Sequence, residues 1–264
     1  MTTSQQPLTT SPDRASGPSS PLAGKAALVT GGSRGIGAAT AVRLAREGAD
    51  VAITYVDGKE AATDVVRRVE RLGRRAVALR ADAADAREAA EAVERAAGEL
   101  GGLDVLVNNA GIGVLGPLGT LTAADVDRVL AVNVRGVFLA CRAAAGHLAA
   151  GGRIITVGTC LTQRVAGPGA TLYTMSKSAL TGLTKALARE LGSRGITANI
   201  VHPGPTDTDM NPADGPHAPA QTALTALGRF GDPDEIAAAV AYLAGPDAAY
   251  VTGTELSVDG GHAA

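Results

Sequence analysis

A glycine-rich turn near the start of the chain, Gly31-Gly-Ser-Arg-Gly-Ile-Gly37, joins an apolar run to a stretch of helical composition. Residues 25–30 have the length and character of a buried strand, and residues 38–47 have the composition and period of a helix. Glycine permits positive φ and lets the backbone approach a pyrophosphate, whose charge the amides at a helix N-terminus can meet. The order strand, turn, helix therefore predicts a phosphate-binding unit.

The spacing of this turn is G-x-x-x-G-x-G, which matches the commonest dinucleotide fingerprint, G-x-G-x-x-G, in mechanism but not in letters. An ordinary glycine-rich loop is the alternative interpretation. If the turn binds a nucleotide, the residues that border the phosphates are Gly31, Ser33, Arg34, Gly35, Ile36 and Gly37.

The end of the second predicted strand bears on which nucleotide would bind. A dinucleotide fold places an acidic side chain there to hold the adenosine 2′-hydroxyl, but this chain has Tyr55. Arg34 in the glycine turn can pair with a 2′-phosphate. Asp57 argues for the unphosphorylated cofactor, but it lies two residues beyond the usual position and Lys59 is nearby. The pattern favours NADP(H) over NAD(H).

Tyr173 and Lys177 are four residues apart in a predicted helix, so they lie on one face as neighbours. A phenol with a pKa near ~10 exchanges protons poorly at neutral pH, and a cation close by favours the phenolate. Such a pair can carry out general acid–base chemistry. The spacing alone is weak, because a tyrosine and a lysine often fall four apart by chance.

Strand-like runs alternate with helical stretches, which indicates an α/β fold. We expect a single-domain, doubly wound, seven-stranded parallel sheet of Rossmann type, with the nucleotide across the carboxyl ends of the strands. Helices are predicted over residues 123–148 and 172–193. The strands are predicted to begin near Ala26, Val51, Ala76, Val105, Ile154, Ile196 and Glu255.

These motifs together resemble the short-chain dehydrogenase/reductase family, in the single-domain form that includes the 3-oxoacyl-carrier-protein reductases. The resemblance covers residues 22–261 and rests on several motifs in the expected order. They are the glycine turn, Asp82 in Arg-Ala-Asp-Ala, Asn108-Asn-Ala-Gly111, Asn133 in Val-Asn-Val, Tyr173 with Lys177, Pro203-Gly204, and Val258-Asp-Gly-Gly261.

The resemblance implies roles for the catalytic residues. Tyr173 would be the general acid for the carbonyl oxygen and the base in the reverse direction. Lys177 would lower the pKa of Tyr173 and donate hydrogen bonds to the nicotinamide ribose. Asn133 would anchor a water that links the lysine to solvent, although an asparagine that bends or caps a helix is the alternative.

The same resemblance implies further cofactor contacts. Asn109, Ala110 and Gly111 would line the adenosine and ribose side of the cleft. Asp82, followed by Ala83, would accept from the adenine amino group, and it could also cap a helix. Pro203 and Gly204 lead into residues 206–219, a segment without clear period that would fold over the nicotinamide as a lid, with Thr206 and Thr208 near the cofactor.

The family's substrate-binding serine is missing here. It commonly stands thirteen residues before the tyrosine, which is Cys160, whereas alignment from the strand over residues 153–157 selects Thr159. Strand ends fix side-chain direction and loops absorb an extra residue cheaply, so Thr159 is preferred. If Cys160 were the aligned residue, the site would lack a good hydrogen-bond donor.

Composition limits the other possibilities. The chain has 264 residues, of which 45% are hydrophobic, enough for one sizeable core over residues 22–264. Residues 1–21 are rich in Ser, Thr, Pro and Gln, which predicts a disordered tail, and they lack the features of a signal peptide. A net charge of −2, two cysteines and four scattered histidines predict a cytoplasmic protein without a metal site, a nucleic-acid partner or a membrane partner.

The sequence therefore predicts an NADP(H)-dependent oxidoreductase that reduces a ketone to a secondary alcohol, reversibly, and assembles as a homotetramer. One alternative is an NAD-preferring alcohol dehydrogenase. A second, from another class, is a non-catalytic nucleotide-sensing scaffold. The pocket segments carry no decisive charged group, so the carbonyl substrate and the stereochemistry stay open.

Overall fold

The computed structural model describes residues 20–264, which form a seven-stranded, all-parallel sheet between layers of helices. The strand order is β3-β2-β1-β4-β5-β6-β7. Strands β1 to β3 extend the sheet toward one edge and β4 to β7 extend it toward the other, so the switch point lies between β1 and β4. Ligands of open α/β sheets bind at such a switch point. The strands are β1 Ala26–Val29, β2 Asp50–Tyr55, β3 Ala76–Arg80, β4 Val105–Asn108, β5 Arg153–Val157, β6 Thr197–Pro203 and β7 Glu255–Val258.

Helices cover both faces of the sheet, and each face has its own apolar core. Continuous apolar runs form the central strands because both of their faces are buried. On one face α1, α2 and α8 pack on the sheet, and on the other α3, α5 and α6 do so. The helices are α1 Gly35–Arg46, α2 Lys59–Glu70, α3 Ala86–Leu100, α4 Ala123–Leu130, α5 Val137–Ala144, α6 Thr171–Leu191, α7 Ala218–Thr222 and α8 Pro233–Ala244.

The sheet confirms the predicted fold, and every strand begins within one residue of its predicted start. The stretch predicted as helical over residues 123–148 is helical as far as Ala144, but it is not one regular α-helix. A π-helical turn, Ala131–Gly136, separates α4 from α5, and α5 ends at Ala144. An apolar period averaged over such a stretch does not reveal one widened turn.

Most of the predicted tail, residues 1–21, lies outside the described residues, which begin at Ser20. Within residues 20–264, no helix combines the length and the apolar character that crossing a membrane requires.

Candidate active site

The glycine turn has a backbone that favours glycine at several positions, of which Gly31 and Gly37 are the most closely packed on other backbone atoms. Gly31 has φ +64°, and a Cβ there would lie 2.9 Å from the Cα of Ala110. A Cβ at Gly37 would overlap the carbonyl oxygen of Gly31 and would lie 2.5 Å from Nδ2 of Asn109. Helix α1 begins at Gly35 without a side-chain cap from Arg34, so its first amides face a space that suits an anion.

Hydrogen bonds from the end of β4 hold this turn in place. Oγ1 of Thr30 accepts from the backbone N–H groups of Asn109 and Ala110, both at 3.0 Å. The side-chain amide of Asn109 donates to the carbonyl oxygens of Thr30 at 2.9 Å and Gly31 at 3.0 Å. Asn109 therefore fixes the backbone at the start of the glycine turn, a structural role that its position in the sequence did not predict.

The predicted cofactor-selecting residues, Arg34 and Tyr55, lie at the carboxyl ends of the neighbouring strands β1 and β2. Arg34 has a side chain that is 74% exposed, and its nearest carboxylate, Oδ2 of Asp209, is 4.0 Å away. Tyr55 is the last residue of β2 and is half-buried. Asp57 and Lys59 are both exposed beyond it. The guanidinium is thus free to turn toward a ligand on the β2 side of the turn.

Asp82 does not cap a helix, so that alternative is wrong. The N-cap of α3 is Asp85, whose carboxylate accepts from the amides of Arg87 and Glu88 at 2.9 Å each. Asp82 instead forms an ion pair of 3.1 Å with Arg128 on α4 and accepts from the amide of Ala84 at 2.9 Å. Arg128 was not predicted because it lies 46 residues away in sequence.

Ala83 follows Asp82 at the end of the loop after β3 and contacts the π-helical turn. A Cβ at Gly136 would overlap the carbonyl oxygen of Ala83, so only glycine lets the two segments approach this closely. The contact brings the predicted adenine side of the cleft against the element that carries Asn133.

Tyr173 and Thr159 meet at the carboxyl end of β5. Thr159 is 7% exposed and has an extended backbone two residues after the strand, and Tyr173 lies half-buried in the first turn of α6. Burial raises the pKa of the Tyr173 phenol, and a hydrogen bond with the Thr159 side chain offsets part of that rise. The two hydroxyl groups therefore lie within reach of one another.

Lys177 is 5% exposed, and its Nζ donates to the carbonyl oxygen of Val157 at 2.8 Å. Burial lowers the pKa of Lys177 to about 8. The expectation that Lys177 lowers the pKa of Tyr173 is not met in this arrangement. The ammonium donates to the backbone at the end of β5, and burial has the largest effect on the pKa of the Tyr173 phenol.

Asn133 lies fully buried in the π-helical turn, and its amide has three partners. Oδ1 accepts from the amide of Ile112, while Nδ2 donates to the carbonyl oxygen of Ile112 and to Oγ of Ser176, all at 2.9 Å. A Cβ at Gly111 would lie 3.4 Å from Oδ1 of Asn133 and 3.2 Å from Nζ of Lys177. Gly111 thus allows the asparagine and the lysine to approach the same segment.

Cys160 begins a 3₁₀ turn, Cys160–Thr162, and is buried. Burial and the charge of Asp259 raise the pKa of its thiol to about 11, so the group is a neutral and weak donor at neutral pH. Of the two aligned alternatives, Thr159 is the one that offers a hydroxyl to Tyr173.

The predicted lid begins at the end of β6, where Pro203 is the last strand residue. Gly204 packs so closely on Asp259 that a Cβ would lie 2.6 Å from its Cα. Thr206 is buried and donates to the carbonyl oxygen of Gly204 at 2.9 Å, and the methyl group of Thr208 faces Gly35. Residues 206–217 thus pass the glycine turn before α7 begins, and the last two residues of the predicted segment belong to that helix.

Two residues near this site were missed from the sequence. His202, in β6, is fully buried, and its Nδ1 accepts from the backbone N–H of Thr159 at 3.2 Å. Glu255, at the start of β7, lies 3.3 Å from Nε2 of His202. The sequence did contain one sign of a buried polar group here, namely a histidine in an apolar strand directly before Pro203-Gly204. Within residues 20–264, no group of three or more His, Cys, Asp or Glu side chains is arranged to hold a metal ion.

Comparison with known proteins assigns this architecture to a family. The family model described as enoyl-(acyl carrier protein) reductase matches residues 31–263. A short chain dehydrogenase from Burkholderia cenocepacia J2315, solved in complex with NADP, is 57% identical, has a TM-score of 0.92 and covers 92% of this chain and 100% of its own.

Two curated relatives match over almost their full length. The short chain dehydrogenase/reductase AacuN of Aspergillus aculeatus is 39% identical over 255 residues, which are 92% of this chain and 97% of the relative. The cyclic-di-GMP-binding biofilm dispersal mediator protein of Escherichia coli K12 is 44% identical over 237 residues, 90% of this chain and 96% of the relative. Family model, relatives and fold agree: the chain is an oxidoreductase-type protein that belongs to the short-chain dehydrogenase/reductase family.

Proposed function

We propose that this protein is an NADP(H)-dependent ketoreductase, which reduces a ketone to a secondary alcohol and runs in reverse as an alcohol dehydrogenase. The observation that carries the proposal is the contact of the Tyr173 and Thr159 side chains after β5, at whose end the buried ammonium of Lys177 donates to the carbonyl oxygen of Val157 at 2.8 Å. Two hydroxyl groups that converge suit a single reacting oxygen atom, such as that of a carbonyl group. The catalytic residues of the proposal are Asn133, Thr159, Tyr173 and Lys177.

The residues present fit a phosphorylated dinucleotide. Glycines at 31 and 37 let the turn pack closely on itself and on residues 109–110, and the uncapped start of α1 offers amides to a pyrophosphate. Arg34 would pair with the 2′-phosphate, and Tyr55 offers no carboxylate to repel it. NADP in the Burkholderia relative supports the same choice over NAD(H). When bound, the cofactor supplies a hydride to the carbonyl carbon.

The chain's own residues then handle the oxygen and its proton. The Thr159 hydroxyl would donate to the carbonyl oxygen and hold it against Tyr173. Tyr173 would transfer its phenolic proton to that oxygen as negative charge develops, and it would remove the proton in the reverse direction. Burial raises the pKa of Tyr173, which keeps the phenol protonated and ready to act as an acid.

Lys177 would donate from its buried ammonium to the nicotinamide ribose, the second role that the family resemblance implies for it. Its hydrogen bond to the carbonyl oxygen of Val157 fixes the ammonium at the end of β5. Asn133 would in turn orient the segment 110–112 and a water on the lysine side.

The remaining site assignments belong to the same proposal. Residues Ser33, Ile36, Asp82, Ala83, Asn109, Ala110, Gly111, Pro203, Gly204, Thr206 and Thr208 would line the cofactor cleft. We also propose one catalytic domain over residues 22–264 in a cytoplasmic homotetramer. Phe138 on α5 and Met175 on α6 are about half exposed, which is consistent with helices that pack against a second subunit.

A second candidate is a nucleotide-sensing scaffold without turnover. The observation in its favour is the 44% identity to a relative that is named for binding cyclic-di-GMP. A scaffold needs the glycine turn but has no need for a threonine, a tyrosine and a lysine in one catalytic arrangement.

The test is Tyr173→Phe, with Tyr242→Phe on the exposed face of α8 as the matched control. Oxidation of NADPH and NADH is followed by their absorbance with a panel of ketones, β-ketoacyl thioesters and enoyl thioesters. We expect Tyr173→Phe to lose turnover roughly 10²- to 10⁴-fold while NADPH affinity persists, because only the acid is removed. Unchanged turnover would contradict the role of Tyr173, and NADPH binding without oxidation in the wild type would favour the scaffold.

A further inference from the structure

We propose that His202 is a positioning residue for Thr159, holding the Thr159 backbone so that its hydroxyl faces Tyr173. The inference rests on the proposed function, since it assigns the reason why Thr159 is in place for a carbonyl oxygen. His202 belongs to β6 and would not touch the substrate. It would act through the amide of Thr159.

The geometry places the imidazole directly behind the end of β5. Nδ1 of His202 accepts from the Thr159 N–H at 3.2 Å, and the ring fills the space beside Gly158. A Cβ at Gly158 would lie 2.5 Å from Nδ1, so the glycine is needed to admit the ring. The carbonyl oxygen of Thr159 accepts from the Thr162 hydroxyl at 2.9 Å. Both the backbone N–H and the backbone carbonyl group of Thr159 thus have a hydrogen-bond partner.

The contacts select one tautomer of His202. Nδ1 faces a donor and must carry a lone pair, so the proton is on Nε2, which lies 3.3 Å from Oε2 of Glu255. Glu255 is itself held by Nζ of Lys185 at 2.7 Å and by the hydroxyl of Thr181 at 3.3 Å. A chain of contacts therefore runs from the exposed ammonium of Lys185 through Glu255 and the buried ring to Thr159.

Protonation of His202 would break this arrangement. An imidazolium carries a hydrogen on Nδ1, which would oppose the N–H of Thr159 and would turn toward the Thr162 hydroxyl oxygen, 3.3 Å from Nδ1. The charged groups that face the ring are Glu255 from β7 and Lys177 from α6. The hydroxyl of Thr162, on the 3₁₀ turn, is neutral. Burial lowers the pKa of His202 and Lys177 adds to that effect, while Glu255 opposes it. Acid pH should therefore release Thr159 and reduce catalysis.

The experiment compares wild type with His202→Leu, His202→Asn and Glu255→Gln in the full-length protein. His147→Asn, an exposed histidine paired with Glu94, is the matched control. Leucine removes the acceptor for Thr159, whereas the amide oxygen of asparagine can stand near the position of Nδ1. The readouts are kcat and KM for the carbonyl substrate across pH, NADPH affinity by its fluorescence, and the ¹⁵N NMR spectrum of the histidine rings.

We expect His202→Leu to lower kcat roughly 10- to 100-fold with NADPH affinity unchanged, because a displaced donor affects the reacting oxygen and not the nucleotide. His202→Asn should recover most of kcat and lose the acid limb of the pH profile. Glu255→Gln should move that limb to lower pH, because the carboxylate favours the imidazolium. At neutral pH the NMR spectrum should show His202 protonated on Nε2 and not on Nδ1.

A folded His202→Leu protein with the kcat and pH profile of wild type would overturn the inference, and so would a spectrum with the proton on Nδ1. If the leucine variant does not fold, the presence or loss of the acid limb in His202→Asn decides the question. A wild type that oxidises neither nucleotide would instead refute the proposed function. That result is seen before any variant is made, so the two failures are distinct.

Discussion

The side chain of Asn133 and the backbone of Ile112 exchange two hydrogen bonds of 2.9 Å each, with Oδ1 accepting from N–H and Nδ2 donating to the carbonyl oxygen. The amide thereby pairs with the segment after β4 as a neighbouring strand would. It ties the π-helical turn to the loop that passes Lys177. The asparagine is thus explained by long-range pairing within the site as well as by its place in a widened helical turn.

Asn133→Asp keeps the shape of this side chain but removes the donor. A carboxylate oxygen would then face the Ile112 carbonyl oxygen and Oγ of Ser176 in a buried site. We expect the free energy of unfolding to fall by about 3 kcal/mol, as for a buried polar group that loses its partners. Urea unfolding measures the change, and a variant as stable as wild type would contradict the pairing.

Thr159→Val removes the proposed donor to the substrate oxygen with little change in volume. Loss of one such donor costs roughly 10²- to 10³-fold in kcat at comparable sites. Thr159→Ser should retain most activity, and Cys160→Ala serves as the neighbouring control because its buried thiol has a pKa of about 11. Steady-state kinetics decide between the two positions. If Cys160→Ala lost activity and Thr159→Val stayed active, Cys160 and not Thr159 would occupy the position of the substrate-binding serine.

Arg34→Ser should weaken NADPH binding and leave NADH binding nearly unchanged. A hydrogen bond to a charged group is worth about 1.5–3 kcal/mol, which corresponds to roughly 10- to 100-fold in Kd. Arg46→Ser is the matched control, since Arg46 is exposed at the opposite end of α1. Calorimetric titration with each nucleotide gives the comparison. Equal losses for both nucleotides would mean that Arg34 does not contact the 2′-phosphate.

Lys177 should make the stability of the protein rise with pH in the alkaline range. Its pKa is about 8 in the folded chain against an ordinary 10.5, so between these values the unfolded chain binds more protons and ΔG of unfolding increases with pH. Below pH 8 both states carry the proton and the cost of burial is felt in full. The shift corresponds to about 3 kcal/mol.

Lys177→Met should lack that rise, and the difference between wild type and variant is measured by urea unfolding at several pH values from 7 to 10.5. Other titrating groups cancel in the comparison. Parallel curves for the two proteins would show that Lys177 is not desolvated as described. The same variant should lose turnover, because the ammonium proposed to hold the nicotinamide ribose is removed.

Gly37→Ala should damage nucleotide binding and stability together. Its Cβ would overlap the carbonyl oxygen of Gly31, so the turn or the start of α1 must shift. Gly98→Ala is the control: a helical glycine in α3 with nothing within 4 Å, which should stabilise the protein by roughly 0.5–1 kcal/mol. Thermal unfolding with and without NADPH tests both. A Gly37→Ala protein with wild-type affinity would contradict the close packing of the turn.

The sheet and its strand starts were predictable because parallel strands buried on both faces have continuous apolar runs. The glycine turn was equally predictable, since the strand, the glycines and the helix are adjacent in sequence.

The contacts that could not be predicted join residues that are distant in sequence. The ion pair of Asp82 with Arg128 spans 46 residues, and the contact of Thr159 with His202 spans 43. The pKa of Tyr173 differed from expectation because burial, which sequence does not report, exceeds the other influences.

The π-helical turn Ala131–Gly136 has a consequence for how the length of this chain can vary. Deleting one residue from the turn would allow ordinary α-helical winding, in which each residue advances by about 100° around the axis. Everything on one side of the deletion would then rotate, and either Asn133 would leave Ile112 or Gly136 would leave Ala83. Point substitutions here change one contact at a time, whereas a single deletion changes the direction of a whole helix. Variants of this chain should therefore keep the number of residues in the turn even where its amino acids are substituted.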